Sequence, residues 1–437
     1  MKTEKSNLKL SIKITLVFLL FTYLFIQNIY AQDLLEKLKN LPGVEVKVLS
    51  PMAHFQQVYE IMVEQPIDHN DITLGTFKQQ IYLYHYNEGA PMIFNTEGYN
   101  IYNYVTELAS LLQANQISVE HRYFGKSVPE PFDWKYLNIK KSAGDHHHIV
   151  ELFKQIYEGK WVGTGISKGG QTSLFHRRFY PNDVDVSVPY VAPLNLEMED
   201  ARVYKHLKTV SSSECRDKIL KIQRVLLEKK DDFFPMFVEY SRNKGFTYEM
   251  GDDMAYDYAV FEYSFAFWQW QTLTCEYIPS PDAELDVIFN HWVTASSPDY
   301  FSDASMDAFR PFFYQAYTEV GYYGYETEPF KDILGVDTIA TNKIFAPQDT
   351  ELDFDISVMQ DINNWFQDNG NYFIFIYGEY DTWTSTSVNI PENLNSLKMV
   401  NPEGSHGTRI LSFPEEDQEK IFSKLEEWLD IEIERPN

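Results

Sequence analysis

Trp161-Val-Gly-Thr-Gly165-Ile-Ser167-Lys-Gly169-Gly170 is the segment on which the fold turns. A short apolar run enters it, Gly165-x-Ser167-x-Gly169 turns it, and Thr172–Tyr180 continues with helical spacing. Strand, tight turn and helix with a Ser at the apex make a nucleophile elbow, in which flanking glycines leave room for a bend that lifts the hydroxyl clear of the backbone. The pattern is common by itself; its place between a strand and a helix gives it weight. The amide of Lys168 opens the helix and faces the point where an oxyanion would form. The plainer alternative is a glycine-rich turn with an incidental Ser.

Outward from this segment, short β-branched or aromatic runs alternate with helical patterns. Ile81–Tyr86, Met92–Asn95, Ile117–Glu120, Trp161–Thr164 and Val184–Val191 predict strands, and Tyr104–Gln113 and His146–Tyr157 predict helices. This alternation predicts an α/β fold with a mostly parallel sheet. Residues 196–345 read differently, as long polar-aromatic helical stretches such as Ser213–Glu228 and Tyr256–Thr272. Alternation returns from 346, with helix Ile356–Gln367, strand Tyr372–Tyr377 and terminal helix Pro414–Leu429. One α/β core in two parts, 32–195 and 346–437, interrupted by a helical cap at 196–345, accounts for the pattern. Such a cap sits over the strand ends, where open α/β sheets bind ligands.

A Ser nucleophile needs a base, and the base an orienting acid; at a nucleophile elbow their chain order is Ser, acid, His. Asp381 follows the strand Tyr372–Tyr377, and His406 is the one His after it, in the glycine-flanked loop Pro402–Gly407. Glu379 is the rival acid. A second oxyanion donor is expected from Met92-Ile-Phe-Asn-Thr-Glu97-Gly98-Tyr99, as the amide of Gly98 or of Tyr99. His146-His147-His148 cannot converge on one metal ion, because neighbouring helical residues point about 100° apart; Asp145 is expected to N-cap that helix. Glu120 and Arg122 are expected to form a buried structural pair. No metal or organic cofactor is called for.

The 64 acidic and 37 basic residues give a net charge of −27, the wrong sign for nucleic-acid phosphates or anionic membranes and mildly favourable for peptide amines. Residues 1–31 carry Lys2, Lys5, Lys9 and Lys13, then the uncharged Ile14–Ile26, then a cleavage site after Ala31. This is the layout of a secretory signal peptide; the apolar run falls short of the about 20 residues a membrane span needs. Export to the periplasm or medium puts Cys215 and Cys275 in an oxidising compartment, where a disulfide between them is expected over two free thiols.

Glu120-His-Arg-Tyr-Phe-Gly-Lys-Ser127 with Pro129, Gln65-Pro-Ile-Asp-His69, Gly165-Ile-Ser-Lys-Gly-Gly170 and Asp381-Thr-Trp383 resemble the secreted bacterial prolyl tri- and tetrapeptidyl aminopeptidases, distant relatives of prolyl carboxypeptidase and dipeptidyl peptidase II. The similarity runs over most of the chain after the signal segment, and Lys after the Ser favours the tripeptidyl branch. The resemblance implies an α/β-hydrolase fold with a helical cap, a triad of Ser167, Asp381 and His406, and action on short unstructured peptides, often after proline. Tyr317-Thr-Glu319-Val-Gly-Tyr-Tyr323 resembles the Thr-Glu-Phe-Gly segment of the relatives, with Val320 in place of Phe, and implies that Glu319 anchors the free peptide amine. Glu97 and Glu326 are rivals for that role. Trp383 is expected to wall a proline pocket or to fill the core.

These readings converge on a secreted serine exopeptidase that removes short peptides, tripeptides first among them, from free N-termini. A capped esterase or lipase on the same fold is the second reading, and a non-enzymatic binding protein the third.

Overall fold

The computed structural model describes residues 33–334 and 341–435; the signal peptide expected at residues 1–31 lies outside them. Nine strands form one sheet: β1 (Val44–Leu49), β2 (Gln57–Pro66), β3 (Thr76–His85), β4 (Met92–Thr96), β5 (Asn115–Val119), β6 (Trp161–Ile166), β7 (Val186–Tyr190), β8 (Ile374–Gly378) and β9 (Leu397–Asn401). Their order is β1-β2-β3-β5-β4-β6-β7-β8-β9. The first three strands pair antiparallel, β3 pairs antiparallel with β5, and from β5 to β9 every pair is parallel. This is the mostly parallel, crossed-over sheet of an α/β-hydrolase, with β1 added at one edge.

The expected strands from β3 to β8 are present. β1, β2 and β9 were not foreseen. In β1, Val44-Glu-Val-Lys-Val-Leu alternates and is only half-buried, as suits an antiparallel edge. The central strands β4 to β8 are buried almost end to end, because helices cover both faces. These are α1 (Glu107–Leu111), α2 (Ile139–Phe153) and α3 (Lys168–Phe179).

Two expectations about this layer need correction. Helix α2 starts at Ile139 with Asn138 as N-cap, its side chain accepting from the Lys141 amide. Asp145 is therefore mid-helix and fully buried, not a cap. It is also the partner of Arg122, whose Nε and Nη2 donate to its carboxylate at 2.6 and 2.7 Å. Glu120 is buried separately and accepts from the Ser127 hydroxyl (2.7 Å) and the Lys126 amide (2.8 Å). Glu120 and Arg122 both lie past the end of β5, where the chain turns, and they serve two different networks.

Between β7 and β8 the chain leaves the sheet and builds α4 (Ala201–Leu207), α5 (Ser213–Glu228), α6 (Lys230–Lys244), α7 (Asp252–Trp270), α8 (Leu285–Ser296) and α9 (Asp303–Gln315). Helix α5 buries Cys215, Ile219, Ile222, Gln223, Leu226 and Leu227, one stripe at helical spacing. Helix α7 is buried on nearly every side and forms the cap's axis. A disulfide joins Cys215 on α5 to Cys275 beyond α7, with Cα atoms 5.5 Å apart. Closing a loop of this size stabilises the fold by about 4 kcal/mol in the chain-entropy model. After the cap, α10 (Ser357–Asn369) returns to the sheet and buries Phe366 against Phe373 and Phe375; α11 (Glu415–Leu429) closes the other face.

Candidate active site

β6 ends at Ile166 and α3 begins at Lys168, so Ser167 alone reverses the chain. Its φ is 58° and its ψ −122°, a conformation that a residue with a Cβ adopts only when its surroundings impose it. The glycines make the turn possible: a Cβ on Gly165 would stand 2.3 Å from the Gly169 carbonyl, and one on Gly169 2.5 Å from that of Thr96. The Ser167 amide donates to the Tyr190 carbonyl at 2.9 Å, which fixes the elbow to the end of β7.

The candidate acid and base, Asp381 and His406, come from the loops after β8 and β9. The amides of Tyr380 and Asp381 both donate to the Gly404 carbonyl, at 2.9 and 3.2 Å, so the two loops lie against each other. Asp381 is fully buried. Its Oδ1 accepts from the Trp383 amide at 3.1 Å and its Oδ2 pairs with Nδ1 of His406 at 2.8 Å. A carboxylate on Nδ1 fixes the tautomer that leaves Nε2 to take a proton. Glu379 is exposed and accepts instead from the Glu403 amide.

Ser167 and His406 open onto one cavity of about 490 Å³ beneath the cap. Lys168 and Tyr99 line it beside the Ser; Gly98 does not, because it is covered by the Lys168 side chain. Tyr300, Phe309, Phe312, Tyr322, Tyr323 and Trp383 form aromatic walls. Trp383 is both wall and core, packed edge-on against Phe265 at 5.3 Å. Tyr102 and Trp270 line the same cavity and are largely exposed.

Among the described residues two carboxyls face this cavity, Glu97 and Glu262. Burial raises the pKa of Glu97, although Tyr104 and Asn95 donate hydrogen bonds to it. Burial pushes Glu262 up to about 7, against hydrogen bonds from the Tyr325 and Tyr323 hydroxyls, both at 2.8 Å.

Glu319, expected to bind the peptide amine, is committed elsewhere: its Oε2 accepts from the Ile139 amide at the start of α2, 2.8 Å away, and it does not line the cavity. Glu326 is paired with Lys208 near the surface. Glu262 was missed by sequence reasoning. Its signal was a carboxylate within Ala259-Val-Phe-Glu-Tyr-Ser-Phe-Ala-Phe-Trp268, a helical stretch with almost no polar face to carry it outward.

The three histidines diverge. His146 is buried with neither ring nitrogen hydrogen-bonded, His147 pairs with Asp183 at 2.9 Å, and His148 with Gln65 at 2.8 Å. His147, Glu151 and Asp183 bring ligand atoms within 4.8 Å of one another, but Asp183 is already shared by His147 and His176.

Residues 28–434 match the family model described as PS-10 peptidase S37. The chain belongs to that peptidase family. It is 28% identical over 409 residues to the prolyl tri/tetrapeptidyl aminopeptidase of Streptomyces mobaraensis, covering 91% of this chain and 85% of the relative. The serine protease vicPb of Bipolaris victoriae is 26% identical over 189 residues, 37% of this chain and 35% of that one. Among solved structures, proline iminopeptidase from Mycobacterium smegmatis aligns with a TM-score of 0.43 and 16% identity, covering 84% of this chain and 98% of that one. As a member of the S37 peptidases the protein is a serine peptidase, and the esterase and binding-protein readings fall away. Among the described residues no helix is long and apolar enough to cross a membrane.

Proposed function

We propose that this peptidase is a secreted exopeptidase that releases short peptides, tripeptides ending in proline foremost, from free N-termini. The observation that carries the reading is a single cavity holding Ser167, His406 and the buried carboxyl of Glu262 between aromatic walls. The similarity to a prolyl tri/tetrapeptidyl aminopeptidase supports it, and the N-terminal sequence supports export.

Ser167 attacks the scissile carbonyl and His406 Nε2 accepts its proton, with Asp381 stabilising the imidazolium that forms. The amides of Lys168 and Tyr99 stabilise the tetrahedral oxyanion. The imidazolium then protonates the departing amine, and water deacylates the enzyme by the same route. Glu262 takes the role first expected of Glu319. An ammonium entering a dry site needs a carboxylate partner, and its charge draws the proton off a carboxyl poised near neutrality. A set span from Glu262 to Ser167 would count residues, and Trp383 with Tyr322 and Tyr323 would receive a proline ring.

The test uses the mature protein and Ala-Ala-Pro-Ala-Phe with a free or an acetylated N-terminus, with products read by mass spectrometry. Release of Ala-Ala-Pro from the free peptide alone is expected. Cleavage of both peptides would make the protein an endopeptidase and remove the role of Glu262.

A further inference from the structure

The chemistry above uses the backbone of Lys168 and leaves its side chain without a task. That side chain is 4% exposed, and its Nζ donates to the Gly98 carbonyl at 2.6 Å. Nζ lies 5.4 Å from the centre of the Tyr99 ring and 5.5 Å from that of Phe124. Burial, with no carboxylate paired to it among the described residues, pulls its pKa down to about 7. An apolar chain would fill the same space without the cost of desolvating an ammonium, so the Lys adds only a donor and a charge at this spot.

The bond it makes bears on the oxyanion hole. The carbonyl of Gly98 and the N–H of Tyr99 belong to one peptide unit, and in a planar trans unit they point to opposite sides. Holding the carbonyl therefore aims the N–H. The stem of the same side chain fixes the height of that unit: a Cβ on Gly98 would lie 2.5 Å from Lys168 Cγ and 2.6 Å from Lys168 Cβ. The other face of the loop is held by the Tyr99 carbonyl, which accepts from the His121 amide at 3.0 Å.

We propose that Lys168 is the positioning residue of the oxyanion hole: its own amide is one donor, and its ammonium, by gripping the Gly98 carbonyl, turns the Tyr99 amide toward the same point. The proposal rests on Ser167 as the nucleophile. It acts through Tyr99, so it concerns the transition state and leaves substrate binding alone.

The test compares wild type with Lys168→Met, which keeps the stem and removes the donor, and Lys168→Arg, which keeps a donor and the charge. Readouts are kcat and KM on Ala-Ala-Pro-p-nitroanilide, inhibition by the tetrahedral-adduct former Ala-Ala-Pro-aldehyde, and by the ground-state mimic Ala-Ala-Pro-amide. Losing an oxyanion donor outright costs about 10²–10³ in kcat; misaiming one should cost about 10–100-fold. Lys168→Met is expected to show that loss in kcat with KM within about threefold, aldehyde affinity falling in proportion and amide affinity unchanged, while Lys168→Arg retains more of the rate. Should Lys168→Met not fold, Lys168→Gln takes its place, with kcat and aldehyde affinity again expected to fall together and spare the amide. A kcat within twofold of wild type overturns the proposal, as does an equal loss of aldehyde and amide affinity. Full activity in Ser167→Ala would instead overturn the nucleophile assignment, so the two failures are told apart.

Discussion

The backbone amide of His406 donates to the carbonyl of Gln269 across 2.8 Å, so the last turn of cap helix α7 holds the loop that carries the imidazole. The ring itself meets the edge of Trp270, with centroids 5.3 Å apart. His406 is thus fixed by Asp381 from the core and by α7 from the cap.

Trp270→Ala removes the ring contact and keeps the backbone bond. An aromatic pair of this kind is worth about 0.5–1.5 kcal/mol, so kcat/KM should fall about two- to tenfold. Steady-state kinetics on a tripeptidyl anilide checks it; a thermal midpoint unchanged to within a few degrees separates the effect from unfolding.

Ser167→Ala and His406→Ala should each lower kcat by about 10⁶, and Asp381→Asn by about 10⁴, because the asparagine holds the wrong tautomer. Ser167→Ala should also abolish labelling by a fluorophosphonate, and His406→Ala should slow that labelling severely, because the Ser then lacks its base. Glu379→Gln should leave kcat within twofold.

The candidate triad could be named from the sequence because each member is announced locally: a Ser between two required glycines, an Asp after a buried strand, a His in a glycine-flanked loop. The carboxylate proposed for the amine could not. Glu319 sits in a stretch that reads like a recognition motif, yet its partner is the Ile139 amide, 180 positions away in sequence. Glu262 carries no motif; only the packing of α7 against Tyr323 and Tyr325 reveals it. Likewise Arg122 found Asp145 and not Glu120, since the packing of α2 brings a carboxylate 23 positions further along the chain to its guanidinium.

The carboxyl of Glu262, with a pKa of about 7 in the free enzyme, should make binding depend on pH. Below 7 it is neutral and loses its attraction for an ammonium. Above about 8 the peptide amine gives up its own proton. Ala-Ala-Pro titrated into Ser167→Ala by calorimetry should bind best between pH 7 and 8, and in Ser167→Ala/Glu262→Gln should bind more weakly with no loss on the acid side. An acid arm that survives in the double variant would assign it to another group.

Lys168 predicts a pH dependence of stability. Its pKa is about 7 when folded and 10.5 in the open chain, so between those values the unfolded state binds more protons and stability rises with pH. Below 7 both states are charged and the full burden of burying the ammonium remains. Relative to wild type, Lys168→Met should therefore have a higher melting midpoint at pH 6, by about 5 °C, and the difference should shrink steadily toward pH 10. A difference that stays constant across that range would place the ammonium in contact with water.

The disulfide has one consequence for a chain whose proposed nucleophile precedes the cap and whose proposed acid and base follow it. Lys244 ends α6 and the exposed Gly245 follows in a left-handed turn, between the two cysteines in sequence. A trypsin nick at this bond would put Ser167 on one polypeptide and Asp381 with His406 on another, yet the Cys215–Cys275 bond would keep the two as one covalent molecule. On a denaturing gel such a species would run as a single band until reductant is added, and it would turn over substrate as a two-chain enzyme.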